Sequence, residues 1–179
     1  MYRKMDILKH FLEDSEREFH IRELARIEKK SPMTITKELN KLKHENLLLF
    51  KPERNHYLYK ANAENLKFRL LKLSYNLNRI YDSNLISYLE NKFNHPEAII
   101  LFGSFRKAED MPKSDIDILI INPSKKEINL TDFEKRLGHK IQLFVHSQKE
   151  IDVLKKKNPE LLNNFINGIV LSGFFEVFK

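Results

Sequence analysis

A chain of 179 residues with 41% hydrophobic and 32% charged residues carries enough apolar material for a packed core and too much for a disordered chain, and its length suits one domain or two small ones. Cysteine is absent, which excludes disulfide frameworks and thiolate zinc sites; no stretch approaches the ~18 apolar residues of a membrane span, and the charged run MYRKMDILKHFLEDSERE lacks a signal-peptide core, so a cytoplasmic protein with no membrane partner is expected. The formal charge of +7 gathers early, residues 1–62 carrying 14 Lys+Arg against 10 Asp+Glu, which is consistent with a polyanion bound through phosphate contacts or with a merely solvated basic surface.

The first segment, Met5 to Glu13, sets Ile7, Leu8, Phe11 and Leu12 on one stripe at helical spacing. A short extended link, Glu18 to His20, leads to a second helix from Ile21 to about Lys29 that buries Leu24 and Ile27. Ser31 then caps and Pro32 opens a third helix, running to about His44 with Ile35, Leu39 and Leu42 inward. LLLFKPERNHYLYKA reads as a hairpin around the polar turn Pro52 to Asn55. Glu64 to Phe93 is mostly helical, with Leu66, Leu70, Leu73 and Leu77 spaced for one apolar face, as a connector or a homodimer surface requires. From Glu97 the pattern changes to short, Ile-rich buried strands, EAIILF and DIDILII, followed after a helix at Thr131 to Leu137 by the strand HKIQLFVH. Helices from Gln148 to Lys157 and from Pro159 to Asn167 precede a terminal GIVLSGFFEVF run.

Three helices followed by a hairpin is a winged-helix order. In a helix-turn-helix the second helix of the pair presents its first turns to base edges in the major groove. Here that helix offers Thr34, Thr36, Lys37, Asn40 and Lys41, the hydroxyls, amide and cations that reach bases or phosphates, with Arg54 and His56 at the hairpin. SPMTITKELNKLKHENLLL resembles the recognition helix and first wing strand of winged-helix regulators, which implies double-stranded DNA as a partner. The same fold also serves as a protein-interaction module, so the resemblance alone does not fix this function.

Downstream, Phe102-Gly103-Ser104 ends one predicted strand, and Ser114-Asp115-Ile116-Asp117 opens the next. Gly103 permits close approach of backbone to phosphate, and Ser104 offers a hydroxyl and an amide at a helix start. Asp115 and Asp117 alternate by two, so both carboxylates leave one face of a strand and present hard oxygen ligands suited to Mg²⁺. Gly-Ser, about ten residues, then Asp-x-Asp resembles the minimal nucleotidyltransferases of the DNA polymerase beta superfamily, over roughly Pro96 to the C-terminus. The resemblance implies an α+β fold with a mixed sheet and flanking helices, and transfer of a nucleoside monophosphate from a nucleoside triphosphate, ATP being the expected one, to a protein or small-molecule acceptor. It further implies that Gly103, Ser104, Lys107 and Ser114 hold the nucleotide and that Asp115 and Asp117 hold Mg²⁺ and carry the catalysis. The whole chain is similar to members that carry an N-terminal winged helix, giving expected divisions at 1–62, 63–95 and 96–179, and antitoxin members act on a toxin partner.

Two departures from the family pattern stand out. Gln142 occupies the position on the next strand where a third carboxylate is usual; it is neutral, cannot act as a general base and is the weaker metal ligand. Arg106-Lys107-Ala108 stands where family members often show Ala, Arg and Gly. Neither Asp132 and Glu134 on the preceding helix nor Asp152 on the following one replaces the missing acid. His139 and His146 at the strand ends read as surface residues before they read as ligands, and the Phe174, Phe175 and Phe178 tail as packing before base stacking. Three functions follow: a nucleotidyltransferase, a DNA-binding regulator whose transferase-like domain has lost catalysis and senses a nucleotide or binds a partner, or a purely structural interaction protein.

Overall fold

The computed structural model describes residues 7–53 and 56–177; the expected helix start at Met5, the turn residues Arg54 and Asn55, and Phe178 lie outside them. The chain divides into two compact units, Met1–Lys72 and Leu73–Lys179. Among the described residues no helix is long and apolar enough to cross a membrane.

In the first unit, α1 (Leu8–Glu13) and the preceding Ile7 bury the expected stripe of Ile7, Leu8, Phe11 and Leu12. Phe11 meets Phe19 of β1 (Phe19–His20) edge to face at 5.0 Å. α2 (Ile21–Ile27) turns Leu24 and Ala25 inward, but Ile27 is 46% exposed, against expectation. At 3.6 residues per turn, Ile27 falls roughly 100° away from the face that Leu24, Ala25 and Glu28 share. α3 (Pro32–His44) has the expected bounds: Ser31 Oγ accepts the Thr34 amide at 3.2 Å, Pro32 sits in the first turn, and Ile35 and Leu39 are fully buried.

β2 (Leu48–Glu53) and β3 (His56–Ala61) pair antiparallel from Leu48↔Ala61 to Glu53↔His56, and β1 joins the far side of β3, for an order β1-β3-β2. Pro52 lies within β2 opposite Tyr57 rather than in the turn; β2 is an edge strand, which tolerates a residue without an N–H.

α4 (Leu66–Asp82) and α5 (Leu85–Lys92) divide the helical stretch, with left-handed Asn84 between them at φ 62°. The leucine stripe is inward only in its second half, where Leu73 is partly buried and Leu77 packs against the core of the second unit. Leu66 and Leu70 are 69% and 57% exposed, whereas Phe68, Asn76 and Ile80 are buried. An inward place suits Asn76 because its amide finds hydrogen-bond partners there, whereas Leu66 and Leu70 lie around the helix from Phe68.

In the second unit, β4 (Ala98–Phe102), β5 (Ile116–Ile121), β6 (Ile141–His146) and β7 (Ile169–Gly173) form one sheet of order β6-β5-β4-β7. β4 is antiparallel to both neighbours, whereas β5 and β6 are parallel, as the crossover helix α7 (Thr131–Leu137) requires. The sheet is mixed and covered on both faces. Ile99, Leu101, Ile116, Ile118 and Ile120 pack with Ile80, Leu85, Leu89 and Leu137 on one side. Ala98, Ile100, Phe102, Leu119 and Ile121 face Ile151 of α8 (Gln148–Lys157) and Leu162 and Phe165 of α9 (Pro159–Ile166) on the other. Two buried faces explain why β4 and β5 read as continuous apolar runs rather than alternating ones.

One ion pair gives the first unit a pH dependence. His10 Nε2–H donates to Glu28 Oε1 at 2.6 Å, and Lys9 Nζ lies 3.6 Å from the same oxygen. Burial raises the Glu28 carboxyl, but the His10 hydrogen bond and the charges of Lys9, His10 and Lys30 outweigh it and hold the group below its ordinary 4.5. A carboxyl lowered on folding stabilises the native state above its unfolded value and loses that contribution as pH falls through the folded one. Glu28→Gln is therefore expected to cost about 1 kcal/mol at pH 7, with the gap to wild type closing at acid pH. Urea denaturation of both proteins across that range reads the difference, and a gap constant with pH counts against this assignment.

Candidate active site

The buried run of β4 delivers Phe102 to the end of the sheet, where the chain turns through Gly103 into the short helix α6 (Gly103–Lys107). Phe102 is the register partner of Asp117, so the turn lies directly against the second aspartate. Gly103 has φ +71°, and a Cβ added to it would sit 2.1 Å from Asp117 Oδ2 and 3.0 Å from its Cγ. Glycine is required here twice over, by the backbone conformation and by the carboxylate against its Cα.

Asp117 is also the register partner of Gln142 in the parallel β5–β6 pair. Cross-strand partners lie roughly 4.8 Å apart and point to the same face, so Gln142 flanks Asp117 on its side of the sheet. Asp115, two residues before Asp117, is exposed just ahead of β5, and Lys140 just ahead of β6 is exposed beside it, its carbonyl accepting the Ile116 amide at 2.8 Å. Burial pushes the Asp117 carboxyl above its usual range, and the Asp115 charge adds to the rise. A divalent cation held by the two carboxylates would relieve that repulsion. The donor set fits Mg²⁺: two hard oxygen donors beside a backbone with no side chain to obstruct substrate phosphates. Among the described residues no group of three or more His, Cys, Asp or Glu gathers. Glu134 Oε1 accepts the Ile141 amide at 3.0 Å, and Asp152 pairs with Lys155 at 2.7 Å, so neither stands in for a third acid.

The other candidates take distinct places. Ser104, partly exposed, follows Gly103 in α6, and Lys107 is exposed in its last turn. Ser114 Oγ accepts the Met111 amide at 2.9 Å and thereby closes the loop before Asp115. Ala108 takes the left-handed position at φ 58°. His139 donates from Nδ1 to the Ser114 carbonyl at 2.8 Å and meets Phe105 edge to face at 4.8 Å, which anchors its ring beside the Asp-x-Asp entrance. His146 pairs with Ile121 at the opposite end of β5. Burial holds its ring below the usual imidazole range, aided by Lys125 and opposed by Glu150. Phe175 packs against the α8–α9 core, and Phe174 is 69% exposed.

On α3 of the first unit, Thr34 Oγ1 lies 2.9 Å from Ser31 Oγ, Thr36 donates to the Pro32 carbonyl at 2.8 Å, and Asn40 Oδ1 accepts from Tyr59 at 3.2 Å. Lys37 and Lys41 are exposed. Arg54 lies outside the described residues. Arg22 and Arg26, exposed one turn apart on α2, and Met33, 71% exposed at the start of α3, escaped the sequence reading. The i, i+4 spacing of the arginines opposite Leu24 was the signal for them.

Gly103→Ala tests the turn. The methyl group meets the Asp117 carboxylate and forces a left-handed alanine, so a loss of roughly 1–3 kcal/mol in thermal or urea stability is expected. Unchanged stability contradicts the contact.

Comparison with known proteins agrees with this geometry. The family model described as "Polymerase beta, Nucleotidyltransferase" matches residues 83–173, from the residue before Asn84 to the end of β7. No curated protein and no solved structure matches the chain. Through about half its length, then, the chain follows one family, and it belongs to the polymerase beta nucleotidyltransferases.

Proposed function

We propose that the second unit binds a magnesium–nucleoside triphosphate, with ATP as the expected nucleotide, and transfers its nucleoside monophosphate slowly or not at all. The register pair Asp117↔Gln142 carries this reading. Gly103, bare of a side chain, lets phosphate oxygens approach the backbone, while Ser104 and Lys107 supply a hydroxyl, an amide and a positive charge. Asp115 and Asp117 would hold Mg²⁺, which supplies charge neutralisation and Lewis acidity at the phosphates. Gln142 stands where a carboxylate would take the acceptor's proton, and an amide cannot take it. Binding then survives while acceptor activation fails. Asp115→Asn combined with Asp117→Asn should abolish metal-dependent nucleotide binding in calorimetry, and unchanged binding overturns the site. Gln142→Asp should tighten Mg²⁺ binding and raise labelled-ATP transfer to cell-extract acceptors; rapid transfer by the wild type returns the chain to the fully active enzymes.

A separate observation supports a winged helix-turn-helix that binds duplex DNA in the first unit. Every acid of the α2–α3 segment is engaged: Glu23 by Arg17 at 2.5 Å, Glu28 by His10 at 2.6 Å and Glu38 by Lys30 at 3.2 Å. Arg22, Lys29, Lys37 and Lys41 stay exposed, and Arg26, likewise exposed, turns its Nε only to a backbone carbonyl. That arrangement suits a polyanion, because neutralised acids repel no phosphate. Each lost phosphate contact flattens the dependence of log affinity on log salt by about one unit. Lys37→Ala with Lys41→Ala should therefore weaken duplex binding and reduce the slope; if both stay unchanged, α3 is not the DNA-contacting helix.

A further inference from the structure

We propose that Asn76 is a positioning residue for the nucleotide site, a brace on α4 that sets the distance between the Gly103–Ser104 turn and Asp115; this rests on the nucleotide-binding reading above. Asn76 is 1% exposed on a face it shares with Ile80, where a leucine would fill the space without a buried amide. Its Nδ2 donates to Asp110 Oδ1 at 2.7 Å and to the Phe105 carbonyl at 3.4 Å. Those two acceptors lie in α6 and in the loop after it, the segment that separates the halves of the site.

The loop consists of two small hydrogen-bonded turns. In the first, the Glu109 amide donates to the Ser104 carbonyl at 3.0 Å and the Ala108 amide to the Phe105 carbonyl at 3.3 Å. In the second, the Ser114 amide donates to the Met111 carbonyl at 2.9 Å, and the Met111 amide to Ser114 Oγ at 2.9 Å. Asp110, 3% exposed, is the joint between them. One turn carries Gly103 and Ser104, and the other leads into Asp115. By holding a carbonyl of the first turn and the carboxylate of the joint, Asn76 fixes the angle at which they meet, and hence the spacing at which phosphate and metal ligands are presented together. Pre-set geometry of this kind is worth affinity because binding then orders nothing further.

The test uses the full chain and Mg·ATP. Asn76→Leu removes the donor at similar size, and Asn76→Ser, milder in its effect on folding, is too short to span both acceptors. Both should weaken Mg·ATP binding about tenfold, a loss of the size that one charge-assisted hydrogen bond accounts for. Both should also accelerate amide exchange at Glu109 in the free protein, with protection restored by saturating Mg·ATP. Ile80→Val, buried on the same helix but without a polar contact, should lower the melting temperature and leave affinity and Glu109 exchange unchanged. Folded Asn76 variants with wild-type affinity and wild-type Glu109 protection overturn the brace, as does an Ile80→Val variant that loses affinity to the same degree. If the wild type binds no Mg·ATP, the nucleotide reading falls while Glu109 exchange still decides whether Asn76 holds the loop.

Discussion

Contact between the Gly103 backbone and the Asp117 carboxylate is the constraint on which the rest of the second unit depends. It exists because β4 and β5 pair antiparallel with Phe102 opposite Asp117, so the strand that ends in the turn and the strand that follows the first acid meet at one end of the sheet. A one-residue slip in that register would send Asp117 to the opposite face and bring an isoleucine against the glycine. The apolar faces oppose such a slip: Ile116, Ile118 and Ile120 on one side and Leu119 and Ile121 on the other are each buried in a separate core. Two carboxylates at the edge of water are thus held in place by hydrophobic packing deeper in the sheet.

The same logic places Gln142. β6 runs parallel to β5 because α7 crosses over between them, and the parallel register sets Gln142 beside Asp117. A carboxylate at that point would add a third negative charge to a pair whose inner member is already pushed toward its protonated form by burial and by its neighbour. An amide keeps a polar oxygen beside Asp117 without that charge. On the proposed function, the amide of Gln142 lowers the electrostatic demand for a cation and removes a proton acceptor at once, so that binding would survive where transfer fails.

In the first unit, charge is sorted by pairing rather than by excess. The acids of α2 and α3 are tied to Arg17, His10 and Lys30, and of these pairs the more exposed two, Arg17–Glu23 and Lys30–Glu38, contribute little stability. Their consequence is electrostatic, since they leave the remaining cations of the helix pair unopposed. A modest formal excess in the sequence thereby leaves Arg22, Arg26, Lys29, Lys37 and Lys41 exposed on the helix pair.

Local chemistry written in the sequence determined much of this structure. Ser31 and Pro32 start α3 where a cap and a first-turn proline should, the Ile-rich runs become buried strands, and the spacing from Gly-Ser to Asp-x-Asp marks the site, because each of these signals acts within a few residues of itself. Tertiary structure decided the remainder. On the first part of α4 Phe68 is buried while Leu66 and Leu70 face water despite their helical spacing, and on the second part Asn76 is buried against a partner in a loop far along the chain. Ile27 was turned out by the face its helix shares with Glu28, and Pro52 was drawn into β2 by pairing with Tyr57. Gln142 could be recognised in the sequence as an absent acid, but only strand register made it the neighbour of Asp117. Periodicity specifies a face and a propensity specifies an element; the partner across the sheet or beneath the helix is a long-range choice, made when the two faces are buried together.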